Sequence, residues 1–458
     1  MSGLELSVEA FGDDFRRWVR ELERLGGCSS PVYLMGHSIT RDKATGAVVH
    51  AFYSADMPFG VLMLPCRNRR QGVCLPCSLI HNGDSFHIVR AGMVGGKGVP
   101  ASVLTHPYAF VTVTAPSFGV VHRIGAGGRC HPNREHPVCM HGRSAACWAI
   151  HVKSDPLLGG PLCWECYAYQ DAVIWNAAAG LLWAQYVNRL KREIARLGGL
   201  NISSGEVRQH LRLSYVKVAE FQRRGAVHFH AIVRIDGPDG PGDSPPAWAT
   251  SELLAEAARA AGPRTTVGVP QVGGETRIIS LGAELDAQQI GGPNNMTDSA
   301  VSSYLAKYIT KDDGHGLILP RRVLTREGIN LYPRGALTEH ARTLMRCAWD
   351  LGGLPELADL RLRPWAHQLG FRGNVVTKSR LYSTTYGELR QARAAHVREA
   401  AGLPAVEAAE TVKDSNWRFV GAGHSPLLAE IAAGIAEGTA IRKGPRPEWI
   451  EAEHGDVA

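Results

Sequence analysis

Residues 211–235 read LRLSYVKVAEFQRRGAVHFHAIVRI. Two runs rich in Val, Ile, Tyr and Phe flank Gln222-Arg223-Arg224-Gly225, which predicts a β-hairpin. His228 and His230 stand two apart in the second run, so their side chains share one face of the strand and Phe229 takes the other. A strand made only for packing would place Val or Ile at both positions, because a buried imidazole needs a hydrogen-bond partner. The pair suits one metal ion. Register decides whether a carboxylate joins it. With Arg223-Arg224-Gly225 as a three-residue loop and Gly225 left-handed, Gln222 pairs with Ala226 and Glu220 falls opposite His228. A two-residue loop at Arg224-Gly225 instead opposes Glu220 to Phe229, leaving a surface carboxylate beside Arg223 or Arg224. Glycine at the third loop position favours the first register. Two imidazoles and one carboxylate leave positions for water and phosphate oxygens, as Mg²⁺ or Mn²⁺ requires.

Working outward, Tyr108–Thr114 (YAFVTVT) alternates like a strand and stops before Pro116. Residues 171–197 carry Ala, Leu and Trp at helical spacing and end at Gly198-Gly199. Further helices are expected at 11–25, 248–261 and near 299–311, a strand in ETRIISLGAEL (275–285), and an exposed linker in DGPDGPGDSPP (236–246). Alternating strands and helices give an α+β fold: a central antiparallel sheet flanked by helices. The expected regions are 1–100 with a first cysteine cluster, a core over 101–314 with a Cys/His-rich insertion at 128–170, a basic helical region over 315–440, and a disordered tail at 441–458.

The segment VSSYLAKYITKDD (301–313) places Val301, Leu305 and Ile309 four apart and reads as a helix. Tyr304 and Tyr308 then lie one turn apart, roughly 6 Å between Cβ atoms, with Lys307 beside both. Phenols titrate near pH ~10, so a nucleophilic role needs a cation to favour the phenolate. Ordinary amphipathic packing would produce the same spacing.

Taken in order, FVTVT (110–114), EFQRRGAVHFH (220–230) and YLAKYITKD resemble the HUH endonucleases, in particular the two-tyrosine rolling-circle replication initiators. VCLPCS, PLCWECYAYQDAVIWN and LGFRGNVVTKSRLYSTTYGELR resemble the initiators of actinobacterial plasmids and integrative elements. The resemblance implies an HUH core in which His228 and His230 hold a divalent metal, and a nucleophile at Tyr304 or Tyr308 with Lys307 between them. It implies nicking and rejoining of single-stranded origin DNA through a 5′-phosphotyrosine. Single-stranded and duplex origin DNA would be partners, with a host helicase and DNA polymerase recruited to the free 3′-OH.

The chain has ten cysteines, eight of them between Cys66 and Cys166, a clustering that favours Zn²⁺ in a reducing compartment over a disulfide scaffold. Cys74-x2-Cys77 and Cys163-x2-Cys166 are each half a zinc site. Cys147 and His151 are the expected completion of the second. Cys66 opens the first, with Cys130 or Cys139 as its fourth ligand; alternatively all four CxxC cysteines share one ion. Arg223 and Arg224, with Arg372, Lys378 and Arg380 among the aromatics of 371–393, are candidate DNA contacts.

The 458 residues carry 50 Lys+Arg against 43 Asp+Glu, a formal charge of +7 that suits an acidic partner without requiring one. No run of about 18 apolar residues and no amino-terminal leader pattern occurs, so a cytoplasmic protein without a membrane partner is expected. No GxxxxGK[ST] loop is present, which speaks against a nucleotide-driven motor. Rival readings are a relaxase or transposase of the same chemistry, a zinc-dependent non-enzymatic DNA-binding regulator, and a phosphodiesterase using metal-activated water.

Overall fold

The computed structural model describes residues 13–125, 128–200, 203, 205–290, 301–302, 305, 317–319, 321–333, 335, 337–400, 402 and 411–442. Its helices are α1 (Asp13–Arg24), α2 (Leu75–Val94), α3 (Tyr169–Leu197), α4 (Ser251–Ala261), α5 (Glu339–Leu351), α6 (Tyr386–Ala400) and α7 (Pro426–Arg442). Its strands are β1 (Val32–Asp42), β2 (Val48–Tyr53), β3 (Leu62–Leu64), β4 (Tyr108–Val113), β5 (Arg212–Phe221), β6 (Val227–Asp236), β7 (Thr266–Pro270), β8 (Thr276–Ser280), β9 (Leu285–Gln289), β10 (Val376–Lys378) and β11 (Thr411–Ala422). The described residues of 1–90, 302–312 and 384–458 belong to one compact unit, and those of 91–301 and 313–383 to the other.

In the second unit β5 and β6 pair through the three-residue loop. The Gln222 amide donates to the Ala226 carbonyl at 2.9 Å and the Gly225 amide to Gln222 at 2.8 Å, with Gly225 at φ +76°. Any other residue would be strained there. The hairpin is the middle of a five-stranded antiparallel sheet ordered β10-β5-β6-β4-β9. Ala109, Val111 and Val113 of β4, Phe229, Ala231 and Val233 of β6 and Ala287 of β9 face a core filled by Trp183, Tyr186 and Leu190 of α3 and Leu254 and Ala258 of α4. Each such large apolar side chain contributes about 1.5–3 kcal/mol on burial. Helix α4 is started by Thr250, whose hydroxyl accepts from the Leu253 amide at 3.1 Å.

One polar side chain of α3 enters this packing for a specific purpose. Fully buried Asn176 donates to the carbonyls of Gly225 (2.8 Å) and Leu369 (3.0 Å) and accepts from the Val227 amide (3.0 Å). The helix thereby clamps the exit of the hairpin turn, where the chain enters β6. On the opposite sheet face Arg234 and Asp236 are fully buried and paired at 2.5 Å and 3.0 Å. His106 and Ser214 complete the carboxylate's partners at 2.8 Å and 2.6 Å. Burial alone would raise the Asp236 pKa, but the bonds from His106, Arg234 and Ser214 outweigh it and hold the carboxyl below its ordinary value.

In the first unit, β1 pairs with β11, β2 and β3. Trp18 and Leu22 of α1, Tyr33, Val61, Met63, and Leu428 and Ala432 of α7 form its core.

Several sequence expectations change here. Region 315–440 is not purely helical: β10 extends the central sheet beside β5, and β11 pairs with β1 along its whole length. ETRIISLGAEL is not one strand. Its first half is β8, hairpinned with β7, while β9 begins at its end and joins β4 after the Gly282 amide bonds the Thr114 carbonyl at 2.7 Å. The stretch 236–246 is a turn closed by Gly237 and Asp243, anchored at the buried Asp236. Nearly all of the expected tail 441–458 lies outside the described residues.

Candidate functional site

The register places Glu220 directly opposite His228, and His230 opposite Val218 on one side and Thr112 on the other. Alternation along the strands therefore brings Glu220, His228, His230 and Thr112 to the sheet face opposite Phe229. One carboxylate oxygen of Glu220 lies 3.0 Å from His228 Nε2 and 3.4 Å from His230 Nε2. One ligand atom from each of the three residues falls within a mutual 4.8 Å. His230 is buried, while His228 and Glu220 are half-exposed. Thr112 Oγ1 meets His230 Nδ1 at 3.2 Å and Phe110 stacks on the ring at 5.9 Å, which fixes the imidazole with Nε2 toward the carboxylate. Such an outer hydrogen bond on the far ring nitrogen is the usual way a ligating histidine is oriented. A donor set of nitrogen and oxygen without sulfur fits Mg²⁺, Mn²⁺ or a similar divalent ion. Across β4, Asp286 pairs with Thr112 and adds an exposed carboxylate to the strand next to the site.

Tyr304, Lys307 and Tyr308 lie outside the described residues. Of their segment, Val301, Ser302 and Leu305 are helical and buried.

Among the expected DNA contacts, Arg224 is bonded within the fold. Its guanidinium donates to the carbonyls of Pro116 (2.5 Å) and Ala115 (2.7 Å) and to Gln222 (2.8 Å), so its donors fasten the hairpin loop to the end of β4. Arg223 reaches the Lys153 carbonyl at 2.6 Å. Lys378, on β10, bonds the Ser383 carbonyl at 2.6 Å. Arg372 and Arg380 are exposed, the former with one bond to the Asp359 carbonyl at 2.9 Å.

The cysteines form three tetrads that can hold zinc, none with the ligand set expected from the sequence. Cys66, Cys74 and Cys77 are completed by Cys28, not by Cys130 or Cys139. Cys147 and His151 join His122 and Cys130, and Cys163 and Cys166 join Cys139 and His141. The four CxxC cysteines do not converge on one site. The error came from completing each half-site with neighbours in sequence, whereas hairpin turns bring in the next pair but one. Cys28 carries no spacing signal, but HRIGAGGRC (122–130) and CMH (139–141) are each a pair of ligand types at short spacing. Asn176 and Thr112 were also missed; an Asn inside an apolar helix was the available signal for the former.

Lys217 is a further buried group, on the α3 side of β5, with its ammonium 3.9 Å from the centre of the Phe229 ring. Burial pushes its pKa down to about 8.

An antiparallel sheet bearing two imidazoles and a carboxylate, in a chain that also has tetrads of Cys and His, defines an α+β protein with groups that could hold metal ions. The chain belongs to the family of replication initiators typified by that of pSAM2: the family model described as "Replication initiator protein, pSAM2" matches residues 14–437. A "Replication initiator protein" of Streptomyces ambofaciens is 39% identical over 453 residues, covering 96% of this chain and 94% of the relative. No solved structure matches. Among the described residues, no helix is long and apolar enough to cross a membrane.

Proposed function

We propose that this initiator acts as an HUH-type, metal-dependent nicking and joining enzyme on origin DNA. The observation that carries the reading is the convergence of Glu220, His228 and His230 on one sheet face. Glu220, His228 and His230 would hold Mg²⁺ or Mn²⁺, which when bound would supply Lewis-acid polarisation of a scissile phosphate. The remaining work falls to side chains. Tyr304 or Tyr308 attacks the phosphodiester of a single strand, its phenol oxygen bonding phosphorus as the 3′ oxygen departs, which leaves a 5′-phosphotyrosine and a free 3′-OH. Lys307 favours the phenolate that attack requires. One phosphate ester replaces another, so strand closure needs no ATP, in keeping with the missing phosphate loop. While one tyrosine holds the displaced end, the second cleaves the regenerated origin and releases a circle. A host polymerase and helicase take up the 3′ end.

Covalent capture on a labelled origin strand tests this, since only tyrosine chemistry leaves an adduct stable to denaturation. Wild-type protein with Mn²⁺ is expected to form the adduct, Tyr304→Phe and Tyr308→Phe to be impaired in nicking or closure, and Glu220→Gln to need a higher Mn²⁺ concentration, on the order of 10–100-fold. An undiminished adduct from the double Tyr→Phe variant sinks the mechanism; nicking without any adduct points to metal-activated water instead.

A further inference from the structure

We infer that residues 118–168 form a cross-braced module that takes two zinc ions and grips the β5–β6 turn. Its eight ligands arrive along the chain as four pairs: His122/Cys130, Cys139/His141, Cys147/His151 and Cys163/Cys166. The fold joins the first pair to the third and the second to the fourth, so the two halves of each tetrad are separated in sequence by one half of the other. Backbone bonds tie the ligand segments together: Cys130 N to Ala149 O at 2.9 Å, the reciprocal His131–Cys147 pair at 2.8 Å, and Cys139 N to Arg143 O at 2.8 Å.

The donor spacings match bound zinc. A tetrahedron with arms of 2.0–2.3 Å has edges of about 3.3–3.8 Å. In the first tetrad His122 Nδ1 and His151 Nε2 are 3.2 Å apart, Cys147 Sγ and His151 Nε2 3.4 Å, and Cys130 Sγ and His122 Nδ1 3.8 Å. In the second, His141 Nδ1 lies 3.2 Å from Cys166 Sγ and 3.8 Å from Cys163 Sγ. Two features outside the tetrads serve the same end. His151 Nδ1 meets Asp155 at 2.6 Å, so the proton sits on that side and the Nε2 lone pair is left for the ion. The Arg123 amide donates to Cys130 Sγ at 3.2 Å, as amides do to ligating thiolates. Thiolate-bearing sets of four select Zn²⁺ over the hard cations that suit Glu220 and its histidines.

The segment has little else to hold it. Among the described residues, no helix or named strand occurs between Val113 and Tyr169, and Val138, Met140, Trp148, Ile150 and Val152 are exposed. A stretch that buries so little apolar surface needs metal staples to hold one conformation. Yet it holds the hairpin loop closely. Gly159, at φ +84°, lets its backbone pass against Arg223 where a Cβ would collide. Arg223 bonds the Lys153 carbonyl at 2.6 Å, and the Tyr167 hydroxyl donates to the Arg224 carbonyl at 2.9 Å. The two ions therefore fasten the turn that sets the Glu220–His228 register.

Zinc content of the full-length chain tests the pairing independently of any nicking. Elemental analysis after dialysis is expected to give three zinc per chain, one in the Cys28 tetrad and two in the module. Cys130→Ser, Cys147→Ser and Cys163→Ser should each lose one. The double variant Cys130→Ser/Cys147→Ser should lose no more than either single, and Cys147→Ser/Cys163→Ser should lose two. The reverse pattern in the doubles, or a wild-type chain with one zinc or none, overturns the interleaved assignment. Where a Ser variant fails to fold, the double variant Cys130→His/Cys147→His, which keeps four ligands at every centre, reports the pairing through thiolate-to-metal absorption of the Co²⁺-substituted chain: the interleaved assignment leaves centres with four, three and no thiolates, whereas four, two and one overturn it. Amide hydrogen exchange at residues 222–226 should quicken at least tenfold in each folded variant. Unchanged exchange overturns the grip on the turn.

Discussion

Replacing Asn176 by Leu keeps the volume of a buried α3 side chain and removes every bond it makes to the hairpin turn. Three bonds are lost: two donated, to Gly225 and Leu369, and one accepted from Val227. The backbone partners stay buried, because Gly225 and Val227 are both inaccessible and Asn176 itself is fully enclosed. A buried polar group left without its partner costs about 1–2 kcal/mol, so the three together cost about 3–6 kcal/mol. With a urea m-value of about 2 kcal/mol/M, the unfolding midpoint falls by about 1.5–3 M. Tryptophan fluorescence reports the transition, since Trp175 and Trp183 sit on the same helix. The same variant should bind Mn²⁺ more weakly by calorimetry, because the turn it loosens fixes Glu220 opposite His228. A midpoint within about 0.3 M of wild type would refute the clamp, and with it the claim that α3 sets the turn.

Two further substitutions probe buried charge. Asp236→Asn leaves Arg234 enclosed with a neutral partner and should cost about 3–5 kcal/mol at neutral pH. Because the folded carboxyl is held below its ordinary value, its contribution is present above the unfolded pKa and lost as pH falls through the folded one, so the variant's acid-unfolding curve should be flatter than wild type's. Lys217→Met should act in the opposite sense. Between about pH 8 and the ordinary lysine value the unfolded chain binds more protons than the folded one, so wild-type stability rises with pH across that window. The variant should lose that rise and melt higher than wild type at pH 7, as thermal scans from pH 7 to 10.5 would show.

How much was legible follows from how far apart the interacting residues lie. The hairpin, its loop and the opposition of Glu220 to His228 were readable because a few consecutive residues contain the whole geometry: glycine at the third loop position sets the register, and the two-residue period does the rest. Helix α3 was readable from its spacing and its terminal glycines. The pairing of β1 with β11 was not, because no window of sequence holds both strands and β11 is exposed on most positions, which erases the alternation that marks a half-buried strand. Strand β10 is only Val376–Lys378, too short to show a period. The metal tetrads failed in a third way. Ligand types were recognisable, but their partnership depends on turns that spacing does not encode. Arg224 shows a related limit: a guanidinium in a loop reads as a DNA contact, and its bonds to the distant carbonyls of Ala115 and Pro116 have no sequence signal.

The pairing of β1 with β11 also sets a timetable for synthesis. Asp42 and Thr411 are neighbours in register although 369 positions separate them (411 − 42 = 369). At the usual 5–20 residues per second, β1 emerges from the ribosome and waits roughly 20–70 s for its partner. For that interval one long border of the strand has unsatisfied amides and carbonyls, an invitation to chaperones and to self-association alike. The other unit waits less, since β5 meets its late partner β10 by residue 378, so the growing polypeptide can complete that sheet before β1 finds its partner.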